Sequence, residues 1–343
     1  MLLASPRGFC AGVEMAIKAL AWMVRVFEAP VYCYHEIVHN KVVVERFKEL
    51  GVVFVDDVDE VPAGAPVMLS AHGTAPQVVA EARCDGRTVV NAACPLVLKV
   101  HHEVKRRAAE GYSIVYVGHE GHQEAVGTMA VAPGAVRRVE SVEEMMALPD
   151  GAEPVAFLAQ TTLAVDEWKG LLEAAQGRWP ELWVPGHSDL CFATTNRQAA
   201  LKAIAKQCDV VVVIGSDNSS NTNALTRTAL SAGCPRAVRV NGADELPDDL
   251  AGTVGVIAGA SAPESLVLEV VEALAPTNGI DEVQAVDEDE YFPLPRELRD
   301  LLRTVSAAAA VAAFAPGGDP LVGGGVIEDR DVPAASALAN LTL

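Results

Sequence analysis

DVVVVIGSDNSSN, residues 209–221, joins a run of Val and Ile to a glycine and then to a cluster of small polar residues. Short aliphatic runs of this kind are typical of strands that are buried on both faces of a parallel sheet. Further runs of similar composition end in Gly or small polar residues before a helix-like segment, at residues 65–73, 112–122, 154–162 and 254–261. The alternation predicts parallel strands joined by crossover helices, which is an α/β fold.

Three cysteines mark a repeat within this pattern. Cys10, Cys94 and Cys191 each stand directly before a segment with helical spacing of apolar residues. A first polar cluster follows each cysteine by about 30 residues and a second by about 65, as expected of an internal repeat. The first clusters contain His39, His122 and Ser219 to Asn221, and the second contain His72, Thr161 and Ser261. The sequence therefore predicts three related α/β units in a pseudo-threefold arrangement, with cysteines and polar clusters directed to one central cavity.

This repeat divides the chain into predicted segments. They are a first unit with Cys10 (1–93), a second with Cys94 (94–188), a third with Cys191 (189–280), a segment that wraps the surface (281–303) and a tail (304–343). The tail consists mostly of Ala, Gly and Pro with few large apolar residues, a composition that predicts flexibility. Within the units, "TAPQ" and "SAPE" place Thr74 and Ser261 at predicted helix N-caps.

Composition and leader sequence bear on the possible partners and compartment. The formal net charge of −20 repels nucleic acid and anionic membrane surfaces. Met1 is followed by "LLAS" without the features of a signal peptide, and no apolar run approaches the roughly 20 residues of a membrane helix. We therefore expect a cytoplasmic protein whose cysteines are thiols, nucleophiles or metal ligands rather than disulfides. No GxGxxG or GxxxxGK[ST] motif occurs between a predicted strand and helix, so nucleotide binding has little support.

Cysteines at equivalent repeat positions indicate a shared ligand. A lone cysteine is most often a small buried apolar residue, and we interpret Cys33, Cys84, Cys208 and Cys234 in this way. Three thiolates can hold zinc, but cysteine-only zinc sites usually have four ligands in paired C-x-x-C spacing, which this chain lacks. A four-iron iron–sulfur cluster normally has four thiolate ligands. With three, one iron would keep an open position for a substrate oxygen.

The polar clusters favour an anionic ligand. His39, His72 and His122 recur in register with hydroxyl and amide side chains before predicted helices. Donors near helix N-termini suit a phosphate or diphosphate, each helix dipole contributing about 0.3 to 1 kcal/mol. Glu124 stands two residues after His122, and the sequence leaves two interpretations of it open: a helix-start carboxylate favoured by the dipole, or an acid inside the cavity.

Taken together, these motifs resemble the 4-hydroxy-3-methylbut-2-enyl diphosphate reductases, the terminal enzymes of the methylerythritol phosphate route to isoprenoids. The ordered motifs cover nearly all of the chain before residue 304, and they lie at residues 6–13, 36–44, 70–74, 93–101, 117–129, 159–166, 191–198, 215–223, 258–263 and 294–299. The resemblance implies three α/β domains around one central 4Fe-4S cluster with three cysteine ligands, one from each domain. It also implies a two-electron reductive dehydroxylation that yields isopentenyl and dimethylallyl diphosphates.

The resemblance further implies a role for each candidate site residue. Cys10, Cys94 and Cys191 match cluster ligands, Glu124 matches the proton donor, and Thr161 matches a hydroxyl near the substrate oxygen. The residues that match substrate or diphosphate contacts are His39, His72, His122, Thr161, Ser219, Ser220, Asn221 and Ser261. No flavin or nicotinamide motif is visible, so we expect the electrons to come from a partner such as ferredoxin or flavodoxin with its reductase.

The chain departs from the family pattern in two places. Asn91, Ala92 and Ala93 stand where Asp-Ala-Thr is common, and Gln123 stands where Pro is usual. Loss of a carboxylate and a hydroxyl near a cluster is expected to change its hydrogen bonding and its reduction potential. Two alternative functions stay open: a non-catalytic iron–sulfur sensor or binding paralogue, and a cluster-dependent dehydratase of an allylic diphosphate.

Overall fold

The protein is described from a computed structural model that covers residues 1–149, 151, 154–313, 330, 332–339 and 341. The strands are β1 (Leu2–Ser5), β2 (Val31–Tyr34), β3 (Val52–Val55), β4 (Pro66–Leu69), β5 (Thr88–Asn91), β6 (Ser113–Val117), β7 (Val136–Val139), β8 (Val155–Ala159), β9 (Val210–Ile214), β10 (Ala237–Val240), β11 (Val254–Ala258) and β12 (Asp281–Gln284). The helices are α1 (Ala11–Val26), α2 (Lys41–Glu49), α3 (Pro76–Ala82), α4 (Pro95–Ala109), α5 (Gln123–Met129), α6 (Val142–Met146), α7 (Val165–Arg178), α8 (Phe192–Ala205), α9 (Ser220–Ser231), α10 (Glu264–Leu274), α11 (Arg296–Ala313) and α12 (Ala334–Ala339). No helix among these residues is long and apolar enough to cross a membrane.

The strands form three parallel sheets that share one arrangement. Their orders are β3-β2-β4-β5, β7-β6-β8 and β10-β9-β11-β1-β12. In each sheet a central strand (β2, β6 or β9) lies between the next two strands of the chain, and all pairs are parallel. The central β9 is buried at every position, as its run of Val and Ile predicted. The predicted α/β class and the threefold arrangement of parallel units are confirmed.

Each cysteine lies where the chain passes from one sheet to the next. Cys94 follows β5, which pairs with β4 of the first sheet, but the helix after it, α4, packs against β6 and β8 of the second sheet. Before Cys191, Trp183 forms a parallel bridge to Ala156 in β8, whereas α8 packs against β11 of the third sheet. Because the chain leaves each parallel strand at its carboxyl end, these crossings all lie at the edge where a ligand binds.

This topology corrects the predicted first unit, residues 1–93. Its first strand, β1, pairs with β11 and β12 and therefore belongs to the sheet of the third unit. The helix that follows Cys10, α1, packs in a core with residues of the first sheet, including Val31 and Met68. The sequence repeat located the cysteines, but it did not reveal that the strand before a cysteine and the helix after it serve different units.

The C-terminal region differs from the flexible tail that we expected from residue 304. Helix α11 runs through this position, and Leu298 and Leu302 pack into the core of the first unit. Helix α12 packs against α1, where Ala334 and Ala337 are buried and the backbone N–H of Ala334 donates to Glu14. Small alanine side chains allow this close packing at little cost in side-chain entropy. Residues 314–329 of the predicted tail lie outside the described residues.

Candidate functional site

One cavity at the carboxyl ends of the strands is lined by every candidate site residue. They are Cys10, His39, His72, Cys94, His122, Glu124, Thr161, Cys191, Ser219, Ser220, Asn221 and Ser261. No lysine or arginine is among the described residues that line it. An anionic ligand in this cavity would therefore contact uncharged donors and histidines rather than lysine or arginine, in a chain whose net charge is negative.

The three cysteines, which we call the thiol triad, occupy the same place in their units. Cys10, Cys94 and Cys191 are the N-cap residues of α1, α4 and α8, where the positive end of the helix dipole favours a thiolate. A Cβ placed on Gly12 would lie 2.8 Å from the Cys94 sulfur and 3.9 Å from the Cys10 sulfur. The missing side chain of Gly12 thus leaves space between two of the thiols.

The three thiols form no disulfide. They are protonated in the free protein, and they need a positive ligand before they ionise. All three are free, and burial raises the pKa of each thiol, that of Cys191 to about 12. The charges of Cys10 and Cys191 further raise the pKa of Cys94, so the three sulfurs lie near one another. Among the described residues, no three His, Cys, Asp or Glu side chains are placed to hold a single metal ion. Free thiols around one cavity are the donor type that holds an iron–sulfur cluster.

The buried side chain of Arg197 links the segments that carry Cys10 and Cys191. Its guanidinium donates to the carbonyl groups of Gly8 and Phe9, just before Cys10, and it also bonds Ala193 beside Cys191. Glu288 accepts from the same guanidinium at 3.1 Å. The positive charge lowers the pKa of Cys10 and Cys191 against the larger effect of burial. Arg197 therefore fixes two of the three cysteine loops relative to each other.

Three histidines form a second group, which we call the histidine triad. The rings of His39 and His72 stack at 3.9 Å between centroids, and His122 meets their edges at 5.5 and 6.2 Å. Burial and then the neighbouring histidines lower the pKa of His72 well below its ordinary value and that of His122 to about 3. These two rings are neutral at pH 7 until a negative ligand offsets the burial.

Several polar atoms of this region are buried without a protein partner. They are His39 Nε2, His72 Nδ1 and both side-chain atoms of Asn221. Buried polar atoms are nearly always hydrogen-bonded in folded proteins, so these atoms indicate a polar ligand. Glu36 receives a hydrogen bond from His39 Nδ1 at 3.3 Å, which orients the ring with Nε2 as its other polar atom. His122 Nδ1 accepts from the backbone of Glu124, which leaves the proton of the neutral ring on Nε2.

The hydroxyl groups that line the cavity also form hydrogen bonds that hold its surrounding segments in place. Ser219 caps α9 by accepting from Thr222 N, and Ser220 contacts Thr162, Gln160 and His119. The predicted N-cap roles of Thr74 and Ser261 are wrong, because α3 and α10 begin at Pro76 and Glu264.

The N-caps are Ala75 and Pro263, one and two residues later than we predicted. Ser261 instead donates to the carbonyl of His39 at 2.9 Å and so joins the third unit to the first.

Glu124 lies inside the cavity wall. Its side chain is 2 % exposed, and it accepts from Thr161 N at 2.7 Å and from Thr161 Oγ1 at 2.9 Å. Burial raises the pKa of Glu124 to about 7, although the two hydrogen bonds act in the opposite direction. Of the two interpretations that the sequence left open, the geometry favours the acid in the cavity.

Asp189 is a second buried carboxyl group, which the sequence did not single out. It accepts from Ala159 N at 3.1 Å, two residues before Thr161, and Lys99 lies 3.8 Å from its other oxygen. Burial raises the pKa of Asp189 to about 6, and its negative charge raises the pKa of Glu124. The signal was present in the sequence, since Asp189 stands two residues before the third cysteine.

The two departures from the family pattern have clear local consequences. The Asn91 amide oxygen accepts from Ala93 N at 3.0 Å, so the amide makes the turn contact that a carboxylate would make. Ala93 is buried and offers no hydroxyl beside Cys94. Gln123 begins α5 and lies close to His72, whose pKa it raises slightly against the effect of burial.

The remaining cysteines lie away from the cavity, as we had interpreted them. Cys33, Cys208 and Cys234 are buried in apolar cores, as interpreted, but Cys84 is exposed, so its interpretation as a buried apolar residue is wrong. Residues that sequence reasoning missed at the site are Glu36, His119, Gln160, Thr162, Asp189 and Thr194. All of them stand within three residues of a predicted site residue, so their proximity in sequence was the available signal.

Comparison with known proteins agrees with this geometry. The sequence profile of the LytB protein family matches residues 1–275. The 4-hydroxy-3-methylbut-2-enyl diphosphate reductase of Methylococcus capsulatus is 44% identical over 309 residues, which are 88% of this chain and 99% of that protein. The reductase of the same name from Paracoccus denitrificans is 46% identical over 307 residues, 88% of this chain and 97% of that protein.

A solved structure also resembles the fold described above. The E-1-hydroxy-2-methyl-but-2-enyl-4-diphosphate reductase of Plasmodium falciparum has a TM-score of 0.86 and 30% identity, with 89% of this chain and 98% of that chain covered. The resemblance that we drew from the ordered motifs is confirmed by these matches. On this evidence, the chain belongs to the LytB protein family.

Proposed function

We propose that this chain is a 4-hydroxy-3-methylbut-2-enyl diphosphate reductase, an oxidoreductase of isoprenoid biosynthesis. The proposal rests on family membership and on one observation. A single cavity contains three free thiols, the unpartnered polar atoms of His39, His72 and Asn221, and a buried acid. This combination suits a substrate that has a diphosphate at one end and an allylic hydroxyl group to be removed.

The thiol triad would hold one 4Fe-4S cluster through Cys10, Cys94 and Cys191. Three thiols with raised pKa values become good ligands when a positively charged cluster compensates their ionisation. Such a cluster, when bound, would pass on the two electrons one at a time from an external donor and would offer an iron with an open position for the hydroxyl group. The protein supplies placement, protons and a cavity shielded from bulk water.

The diphosphate would bind at the histidine triad, with Ser219, Ser220, Asn221 and Ser261 as further contacts. The pKa of His72 rises beside a negative ligand, so this ring can take up a proton, whereas His122 donates through Nε2 while Nδ1 keeps its bond to the Glu124 backbone. Asn221 can donate through its amide nitrogen without any internal bond being broken, since both side-chain atoms are unpartnered. Binding therefore needs no lysine or arginine.

Glu124 would give a proton during removal of the hydroxyl group. The overall reaction takes up two electrons and two protons: the C–O bond breaks, the oxygen leaves as water, and one proton adds to the allylic carbon chain. With a pKa of about 7, Glu124 is partly protonated at neutral pH, which suits a general acid. Thr161 holds both carboxyl oxygens and so orients the acid.

Anaerobic purification and turnover test this proposal directly. We expect four irons and four sulfides per chain, and consumption of the diphosphate substrate by dithionite-reduced protein with two electrons per product. A cluster without consumption would favour the sensor or binding paralogue. Consumption without net uptake of electrons would favour the dehydratase of an allylic diphosphate.

The electron donor and the cellular compartment are part of the same proposal. We infer a ferredoxin or flavodoxin with its reductase, because the motifs for binding flavin or nicotinamide are missing from the sequence. A cytoplasmic location follows from the same partners. Reduction assays with each purified donor, in place of dithionite, distinguish the two.

A further inference from the structure

The three cysteine N-caps differ in the side chain that follows three residues later. Val13 follows Cys10 and Val97 follows Cys94, but Thr194 follows Cys191, and all three of these residues line the cavity. The first two positions are apolar, and only the third carries a hydroxyl. The repeat therefore has a polar exception beside one of its three thiols.

Thr194 makes two contacts with the Cys191 sulfur. Its backbone N–H lies 3.2 Å from Sγ, and its hydroxyl oxygen lies 2.9 Å from Sγ. The Cys10 and Cys94 sulfurs meet backbone N–H groups of the first turns of their helices, but among the described residues no side-chain hydroxyl bonds either of them. Thr194 is fully buried, and a thiolate cannot donate, so the hydroxyl must be the donor whenever Cys191 is ionised.

We propose that the Thr194 hydroxyl tunes the iron–sulfur cluster by donating a hydrogen bond to the ligating sulfur of Cys191, which raises the reduction potential of the cluster. This inference rests on the proposed function, since it requires the thiol triad to ligate the cluster. Hydrogen bonds to cluster sulfurs are one of the factors that set these potentials. A donor withdraws negative charge from the sulfur and so stabilises the reduced cluster, which carries one more electron.

The hydrogen bond from Thr194 to Cys191 is distinctive in this chain because the positions beside the other two thiols are apolar. Ala93 precedes Cys94 and offers no hydroxyl, and Val13 and Val97 face the cavity with methyl groups. Among the described residues, the Cys191 sulfur is thus the one thiol of the triad with a side-chain hydroxyl bonded to it. Thr194 acts through Cys191 and is a positioning and tuning residue, not a group that transfers a proton.

Thr194→Val tests the inference without changing side-chain volume. It removes the hydroxyl and retains the backbone N–H that caps α8, and it makes the third unit resemble the other two. Thr194→Ser restores the donor. Thr195→Val is the matched control, because the Thr195 hydroxyl one residue later donates to the Phe192 carbonyl at 3.0 Å rather than to a sulfur.

The measurement is a redox titration of each anaerobically purified protein without substrate. The electron paramagnetic resonance signal of the reduced cluster monitors the titration. We expect a more negative midpoint potential for Thr194→Val, a potential near wild type for Thr194→Ser, and no shift for Thr195→Val. Equal potentials for Thr194→Val and wild type would overturn the inference. An equal shift in Thr195→Val would also overturn it, because the effect would then reflect the helix turn rather than the sulfur.

Iron and sulfide analysis separates this outcome from failure of the proposed function. A wild-type chain that assembles no cluster under anaerobic conditions contradicts the proposed function and this inference together. A wild-type chain with a cluster, combined with an unshifted Thr194→Val, contradicts only the role of Thr194. A raised KM with an unchanged potential in Thr194→Val would assign the hydroxyl to the substrate and overturn the inference.

Discussion

The thiol triad and the histidine triad lie in one cavity, but they follow the repeat differently. Every unit contributes the same residue type to the thiol triad, always at a helix N-cap. The polar positions vary from unit to unit: the second cluster is His72 in the first unit, Thr161 in the second and Ser261 in the third. A ligand with equivalent faces suits identical residues, whereas a diphosphate with a single allylic arm requires a different contact from each unit.

The two groups also have opposite electrostatics. Burial raises the pKa of the three thiols and lowers the pKa of His72 and His122, so the thiols and these two imidazoles are uncharged in the free protein. A positive ligand favours ionisation of the thiols, and a negative ligand favours a second proton on His72. The cavity is therefore suited to the two ligands of opposite charge that we propose, and no lysine or arginine is among its described lining residues.

The largest effect is expected from the thiol triad. Cys191→Ser replaces a thiolate ligand with a hydroxyl of far higher pKa, and we expect loss of the cluster and of measurable turnover. The loss should exceed the about 10- to 100-fold that removal of a partner outside the ligand shell costs in metal affinity or activity. Iron and sulfide content per chain, measured after anaerobic purification, checks this.

Cys84→Ser is the control for that experiment, because Cys84 is exposed and lies away from the cavity. The same analysis of Cys10→Ser and Cys94→Ser should reproduce the loss seen with Cys191→Ser. If Cys84→Ser lost the cluster and Cys191→Ser kept it, the assignment of ligands from the repeat would be wrong.

Glu124→Gln should have the next largest effect, on turnover alone. Gln keeps the shape of the side chain and its hydrogen bond from Thr161, but it cannot release a proton. We expect a loss of about 10²- to 10⁴-fold in kcat, the usual contribution of general acid–base catalysis, with normal cluster content and substrate affinity. Single-turnover kinetics with the pre-reduced protein measures this. Near-normal turnover would assign the proton to another group.

The histidine side of the comparison is tested by Asn221→Ala. Asn221 makes no internal side-chain hydrogen bond, so the substitution removes contacts to the ligand and little else. Hydrogen bonds to charged groups contribute about 1.5 to 3 kcal/mol, and we expect about a 10- to 100-fold weaker affinity with an intact cluster. His39→Ala and His72→Ala should weaken binding in the same direction.

Calorimetric titration of the oxidised proteins with the diphosphate substrate gives these affinities. Asn241→Ala serves as the control, since the Asn241 amide bonds Glu245 at the surface and does not line the cavity. Unchanged affinity in all three cavity variants would place the diphosphate elsewhere.

The sequence predicted which residues line the site better than it predicted the order of the strands that support them. Cys10, Cys94 and Cys191 could be found because a repeat preserves residue type and spacing, and runs such as residues 209–221 reveal buried strands. The pairing of β1 with β11 could not be found, because strand order depends on contacts between distant segments. Thr194 and Asp189 stand close to Cys191 in the sequence, but the hydrogen bond of the first and the burial of the second depend on how the side chains pack.

Asp189→Asn is expected to have the smallest effect, and its direction follows from the charges. The negative charge of Asp189 raises the pKa of Glu124, so removing it lowers that pKa from its value of about 7. A general acid with a lower pKa is deprotonated at lower pH, and the alkaline limb of the kcat profile should move to lower pH. We expect kcat about threefold lower at pH 8 and little change at pH 6, a difference that half a pKa unit produces.

Asn at this position retains an oxygen to accept from Ala159 N, so the loop before Cys191 should keep its structure. Combining the substitution with Glu124→Gln sharpens the test, because a residue that acts on the Glu124 proton can have no further effect once that proton is gone. A kcat profile that falls equally at pH 6 and pH 8 would instead make Asp189 a structural support of the Cys191 loop. In that case its influence would belong to the thiol triad and not to proton transfer.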